Sequence, residues 1–525
     1  MPEYLRSLVV ILVFSTVVFV FAKGFVCPGA VSPVAFNFRR KLWFAITLIA
    51  FLSHSYLLFL IVTAITLSVA IKRETNRLAL YFAIMFAVPS IPYELEVGGA
   101  IRYLFTIDYL RLLSMVILLP TYLAIKKARS APRFGSLLPD KVLLTYLFIQ
   151  LVLYLKASTL IQGLRIGFLY PFLGVFLPYY VASRSMTAVR DFRDALAAYV
   201  IAALIMSSIG FFEFLRHWLL YTSVESTLGV DWALTGYLAR GSDLRAQASM
   251  GQPIPLGYAL AIGIGYWYFV VRSSATKSRN AGSLALLGLG ILSPLSRGPW
   301  VGTAAGFIVY TITGSRSMSR LLKVAMVGAA IAPLIFLTPL GDKVINYLPW
   351  VGGAETKTVD YRSELLTQSI LVIKRNPLFG APNFMAAPEL QQLATGAGFI
   401  DIVSTYIGIA LAQGLISLAV FVGIFVSVAY LVFSAMRGTA DKESERHQLG
   451  RVLLGNLVCT AIVIGTVSSI SVIPVIYWSL LGLGVAYVEM CRRGEVDAGD
   501  VTKGMPRASA GSTKRSLPRP WMPPQ

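Results

Sequence analysis

The chain has 525 residues, 56% hydrophobic and 14% charged, with a mean hydropathy of +0.70. A soluble globular domain carries about 25% charged residues, so the composition excludes an ordinary soluble enzyme and points to a polytopic membrane protein. The formal net charge is +21. Basic cytoplasmic loops account for that excess through the positive-inside rule, and no nucleic-acid partner is expected.

The first apolar segment, about 7–22, is not followed by a clear small-residue cleavage site and is expected to be a retained span. Further apolar runs lie at about 42–71, 77–92, 105–125, 141–156, 162–183, 193–214, 253–272, 281–313, 322–339, 403–435, 449–470 and 472–490. Two of them read as helix pairs, one interrupted by Ser53-His54-Ser55 and the other between Pro294 and Pro299. Against the ~20 residues that a span needs, this predicts an all-α polytopic membrane protein of about 12–15 transmembrane helices.

Basic clusters set the orientation. Arg39-Arg40-Lys41, Lys72-Arg73, Lys126-Lys127, Arg184 with Arg190, Arg272 with Lys277, Arg316 with Arg320, and Arg437 to Arg451 alternate with loops poorer in basic residues. Placing the clusters inside leaves 93–104, 215–252, the 294–299 turn and 341–401 outside. The chain then divides into a bundle over 1–340, a large periplasmic loop over 341–401, C-terminal helices over 402–490 and a basic tail over 491–525. That tail is rich in Pro, Gly, Ser and Arg. It is expected to be disordered and cytoplasmic, where its basic residues either rest on anionic head groups or are simply solvated.

Three cysteines, Cys27, Cys459 and Cys491, show no metal spacing and no disulfide framework. The sequence has no P-loop, no Gly-rich dinucleotide fingerprint and no HExxH helix, so ATP-driven transport and zinc proteolysis lack support. Neither a metal nor a cofactor is expected.

The polar groups on the outer side are unusual. Arg102 and Arg111 flank Asp108; Arg165 opens one helix; Arg240, Asp243 and Arg245 precede another; Arg297 sits between two apolar helices; Arg362 lies in the large loop. Outer arginines run against the positive-inside trend, and a charge at membrane depth costs about 2.5–3.5 kcal/mol on insertion scales. Such residues either pair with carboxylates or bind an anion. Asp108 and Arg111, three residues apart, read first as a pair on one helix face. Arg165 is open between the two readings. Arg297 favours an anion: it lies in a Ser-Arg-Gly turn where a helix start offers free N–H groups. Its planar fork matches a phosphate, so a lipid diphosphate is the natural ligand.

His217 reads as an interface residue and His54 as part of a helix break. His447 is expected to be solvated in a charged loop. Among the outer carboxylates, Glu364 lies in the large loop, and Asp401 precedes the apolar 403–435 run, where it reads either as a proton acceptor or as that helix's N-cap.

Four stretches carry a family resemblance. They are Ser296-Arg297-Gly298-Pro299-Trp300, Arg245 through Gln252-Pro253, Arg362-Ser363-Glu364-Leu365 through Asn376-Pro377-Leu378-Phe379-Gly380, and Asp401 through Gln413-Gly414-Leu415. In their order, with a large outer loop between, the chain over roughly 240–435 resembles the O-antigen ligase and polysaccharide polymerase superfamily of bacterial inner-membrane glycosyltransferases.

The resemblance implies a helical bundle like those of lipid-linked-sugar (GT-C) transferases. It implies transfer of a glycan from undecaprenyl diphosphate to an acceptor sugar hydroxyl, with inversion, at the periplasmic face and without metal. Arg297, Arg245, Arg362 and Arg165 become the candidate diphosphate contacts. Asp401 and Glu364 become candidate bases, and Tyr361, Tyr347 and Trp350 candidate sugar-stacking residues. The implied partners are the lipid-linked glycan, the acceptor glycan and membrane lipid, with a chain-length regulator and a flippase as further candidates. One departure bears on the branch: O-antigen ligases typically carry His-Asn where this chain has Val403-Ser404. That favours a polymerase or another branch over a ligase that moves finished glycan to lipid A core, protein or another acceptor. A lipid-linked-sugar flippase is the reading from another class, although the paired halves with broken helices common in transporters are not evident.

Overall fold

Inside a bilayer the backbone must satisfy its own hydrogen bonds, which leaves the helix as the natural form for apolar runs of this length. The computed structural model describes residues 1–27, 29–95, 104–128, 132–230, 236–273, 277–315, 319, 326, 356–394, 400–439 and 441–494. Within them the helices are α1 (Glu3–Val26), α2 (Pro33–Leu52), α3 (Tyr56–Ala70), α4 (Arg77–Ile84), α5 (Tyr109–Ala128), α6 (Leu138–Ala157), α7 (Leu160–Ser185), α8 (Val189–Arg216), α9 (Thr222–Leu228), α10 (Pro253–Val270), α11 (Lys277–Leu292), α12 (Arg297–Ile312), α13 (Thr356–Arg375), α14 (Thr405–Arg437), α15 (Glu445–Ile464) and α16 (Ile473–Arg492). The chain is an all-α polytopic membrane protein. Among the described residues, nine helices are long and apolar enough to cross a membrane: α1, α5 to α8, α10 and α14 to α16. Two small antiparallel ribbons, Tyr93–Leu95 with Phe105–Ile107 and Ala239–Arg240 with Asp243–Leu244, occupy loops.

Both expected breaks fall where the sequence puts them. α2 and α3 part at Ser53–Ser55, where His54 takes a positive φ of 49° and its ring meets Tyr4 edge-on. α11 and α12 part at Ser293–Ser296.

Three expectations are corrected. The 77–92 run is not a span: α4 covers only Arg77–Ile84, and its side chains are buried against α8 and α2. Short apolar segments of this kind serve as core rather than as membrane crossings. Arg39-Arg40-Lys41 is not a loop cluster, because α2 starts at Pro33, capped by the Ser32 hydroxyl. His447 is not solvated; it sits in the first turn of α15 and is 3% exposed. The expected 322–339 span, the 341–355 part of the large loop and the tail from 495 lie outside the described residues.

Two buried helices carry the bundle. α8 packs on α1, α4, α10 and α11, and α16 packs on α7, α14 and α15. At one end, charged side chains tie helix termini together. Arg39 is held by Glu74 at 2.9 Å and by Asp194 at 2.7 Å, Arg184 pairs with Asp140, and Arg193 pairs with Glu445. At the other end lie the α11–α12 turn, the 215–252 segment and α13.

Candidate functional site

The 293–297 turn is built around Leu295, whose φ of +48° is costly for a branched side chain. A clasp of arginines holds it. Arg240 donates to the Leu295 carbonyl at 2.5 Å. Arg245 donates through Nε to the Pro294 carbonyl at 3.1 Å and through Nη2 to the Ser296 hydroxyl at 3.0 Å. The Ala246 N–H adds a bond to the Ser293 carbonyl at 3.1 Å.

Ser296 stands at the N-cap of α12 but does not cap it: its hydroxyl turns back to the Pro294 carbonyl at 3.1 Å. Ser296 therefore does not cap the first turn of α12, and a helix start suits an anion. Arg297 is the first residue of that helix and is half-buried.

The clasp is itself anchored. Glu213, fully buried near the end of α8, accepts from the N–H groups of Leu220, Gln247 and Ala248 at 3.0, 3.0 and 2.8 Å. This carboxylate orders both ends of the loop that carries Arg240 and Arg245. His217 ends α8 in the left-handed region, with φ 53°, and its Nδ1 lies 3.4 Å from the Tyr237 hydroxyl.

The position of Arg297 also depends on a set of glycines. A Cβ at Gly298 would lie 2.3 Å from Thr466 Oγ1, one at Gly302 2.7 Å from Val463 Cγ2, and one at Gly306 2.7 Å from the Gly455 carbonyl. Glycine at every fourth position thus lets the backbone of α12 approach α15, as small residues do between membrane helices. Sequence reasoning missed these residues, although the spacing is plain in Gly298-x3-Gly302-x3-Gly306.

The described part of the large loop is mostly helix. α13 carries Tyr361, Arg362 and Glu364, and it joins the start of α14 through a small apolar cluster that includes Leu365, Val372, Ile400 and Leu411. The Tyr361 hydroxyl donates to the Asp401 carbonyl at 3.0 Å and accepts from the Asp401 N–H at 3.2 Å. It thereby sets the backbone at Asp401. Burial raises the Asp401 carboxyl above its ordinary range, and the charge of Arg362 partly opposes the shift.

Asp401 is not the N-cap of α14. The helix begins at Thr405, and the cap is Ser404, whose hydroxyl accepts from the Ile407 N–H at 3.5 Å. Glu364 is two residues from Arg362, so it points from a different side of α13. Its Oε1 accepts from Gln368 at 2.5 Å. The structure therefore brings Arg362, Tyr361 and Asp401 together and turns Glu364 away from Arg362.

Arg165 lies in another cluster. It donates to the Leu104 carbonyl at 3.2 Å. Nearby, Arg111 sits 4.1 Å over the Tyr170 ring and donates to the Thr106 carbonyl at 2.8 Å. Asp108 pairs with Arg111 at 3.2 Å and accepts from its N–H at 2.9 Å; the expected pair forms, but with Asp108 as the N-cap before α5 rather than on its face. Arg102, Tyr347 and Trp350 lie outside the described residues. Among the described residues, no group of three or more His, Cys, Asp or Glu could hold a metal ion.

Comparison with known proteins supplies one match. Residues 282–422 match the family profile described as O-antigen ligase (Wzy_C). This supports the O-antigen ligase and polymerase superfamily, whose members are glycosyltransferase-like enzymes. The matched segment contains Arg297, Arg362, Asp401, Gly380 and Gly414; Arg165 and Arg245 precede it. No curated protein matches the chain.

Proposed function

With the O-antigen ligase match over 282–422 as premise, we propose that the protein is a polysaccharide polymerase. It transfers a glycan repeat unit from undecaprenyl diphosphate to an acceptor sugar hydroxyl, at the periplasmic face of the bacterial inner membrane. The observation that carries this reading is Arg297 at the start of a helix, in a turn fixed by Arg240 and Arg245.

The donor's diphosphate sits against the Arg297 guanidinium and the first N–H groups of α12. As the anomeric C–O bond breaks, negative charge grows on the leaving diphosphate, and these fixed donors stabilise it without reorganising. The acceptor oxygen attacks the anomeric carbon from the opposite face, so the centre inverts. Its proton passes to the Asp401 carboxylate, whose raised affinity for a proton suits a base. Arg362 supplies a second positive charge beside that carboxylate. Arg245 acts through the turn as a positioning residue.

A ligase reading has one specific support, the printed description of the matched family; against it stands Val403-Ser404 in place of His-Asn. A deletion strain separates the two. Loss of a polymerase leaves single repeat units on the acceptor, and that is the expected result. Long chains stranded on undecaprenyl diphosphate would mark a ligase instead, and lipid-linked units trapped in the inner leaflet would mark a flippase.

A further inference from the structure

The α2–α3 hairpin holds an open groove of about 580 Å³, far in sequence from the arginine turn. The two helices run antiparallel, and the short side chains of Ala45, Thr66 and Ala70 on its wall leave the groove its width. The remaining wall is apolar except at one end, where Asn37 and Lys41 of α2 and Arg73 of the turn after α3 line it together. The outer face of α3 carries Leu58, Ile61, Ile65 and Val69, all well exposed, at the spacing of a lipid-facing stripe.

Among the described residues the two cations have no ion-pair partner. Arg39, two residues before Lys41, and Glu74, next to Arg73, belong to the buried network in which Arg39 takes both Glu74 and Asp194. That network uses the carboxylates closest to the groove, and neither Lys41 nor Arg73 makes an ion pair with a described residue. Lys41 and Arg73 are both exposed, so their side chains are open to an anion that reaches the end of the groove.

We propose that this groove binds an anionic phospholipid. Its phosphate lies between Lys41 and Arg73, with the Asn37 amide as a further donor. One acyl chain runs past Leu42 and Ala45 towards the bilayer centre. Two cations without an ion-pair partner among the described residues, one on α2 and one in the turn after α3, separate this groove from an ordinary lipid-facing crevice, which needs no charge. The inference stands independently of the polymerase reading.

The test is native mass spectrometry of the delipidated full-length protein with added phosphatidylglycerol or phosphatidylcholine of identical chains. Wild type is expected to retain phosphatidylglycerol roughly thirty-fold better, the factor that two basic residues at an anionic surface supply. Lys41→Gln with Arg73→Gln should abolish the preference. Lys41→Arg with Arg73→Lys should keep it, and so should Lys126→Gln with Lys127→Gln on α5. Equal retention of both lipids by wild type overturns the proposal. So does an unchanged preference in the Lys41/Arg73 glutamine variant, or an equal loss in the Lys126/Lys127 variant. Lipid-free thermal unfolding of each variant, compared with wild type, separates lost binding from lost folding. Preferential retention of undecaprenyl diphosphate over phosphatidylglycerol also overturns it.

Discussion

Gly380 and Gly414 lie against each other, and both have positive φ, 62° and 79°. A Cβ on Gly380 would fall 2.5 Å from the Gly414 nitrogen, and one on Gly414 would fall 2.2 Å from the Leu378 carbonyl oxygen. Gly414 breaks α14, and the Asn376–Ala381 segment fills the break. Ala381 donates to the Leu411 carbonyl at 2.8 Å, and Leu415 donates to the Pro377 carbonyl at 2.8 Å. The loop thus satisfies backbone groups that the interrupted helix cannot, as irregular backbone in a membrane protein requires.

Alanine at either glycine should undock the loop. The positive φ alone costs an L-residue about 1–3 kcal/mol, and the contacts add to that. Gly380→Ala and Gly414→Ala should each lower the thermal midpoint and expose 376–381 to protease. The double variant should be less destabilised than the sum, because one docking event is lost in both.

Arg297→Lys keeps the charge and loses the fork. Charge-assisted hydrogen bonds contribute about 1.5–3 kcal/mol each, so polymer yield should fall by roughly ten- to a hundred-fold at equal protein level. An unchanged chain-length distribution in cells would remove Arg297 from the diphosphate site.

Arg240→Met should act through the fold. The buried Leu295 carbonyl loses its donor at the strained turn, at a cost of about 1–3 kcal/mol. The expected result is a lower thermal midpoint with reduced activity. The alternative, full stability with lost turnover, would make Arg240 a substrate contact.

Asp401 separates base from scaffold by pH. Its carboxyl is raised, so the folded chain holds this proton more tightly than the unfolded chain does. Ionisation of Asp401 therefore subtracts stability as pH rises past the ordinary carboxylate range. Asp401→Asn should not lower the thermal midpoint at neutral pH, yet it should abolish turnover. Arg362→Gln removes the opposing positive charge, so the acidic limb of the rate profile should move to higher pH. Glu364→Gln should leave both limbs in place.

Tyr361→Phe removes two hydrogen bonds to the Asp401 backbone. At about 0.5–1.5 kcal/mol each, their loss should speed amide exchange over 400–404 while global unfolding changes little. Equal protection in the variant would show that the apolar cluster around Leu365 fixes the segment alone.

The sequence by itself determined the class and most of the elements. Hydropathy located the spans because a bilayer leaves the backbone few choices, and the breaks at Ser53–Ser55 and Pro294–Pro299 were legible from their polar and proline residues. It also marked Arg297, Arg362, Asp401, the Asn376–Gly380 motif and Gly414 as places worth watching. Only the tertiary structure decided what each does. Hydropathy measures whether a segment avoids water, not whether its neighbour is lipid or protein, and so 77–92 read as a span when it is core. Charge pattern cannot distinguish a loop cation from one on a helix, and so Arg39-Arg40-Lys41 read as a loop. The pairing of Gly380 with Gly414, the hold of Tyr361 on Asp401, the clasp of Arg240 and Arg245 on the turn, and the Ser404 cap join residues through space or through hydroxyl geometry. Contacts of that kind leave no periodic trace in the sequence, because they depend on where two separate segments meet.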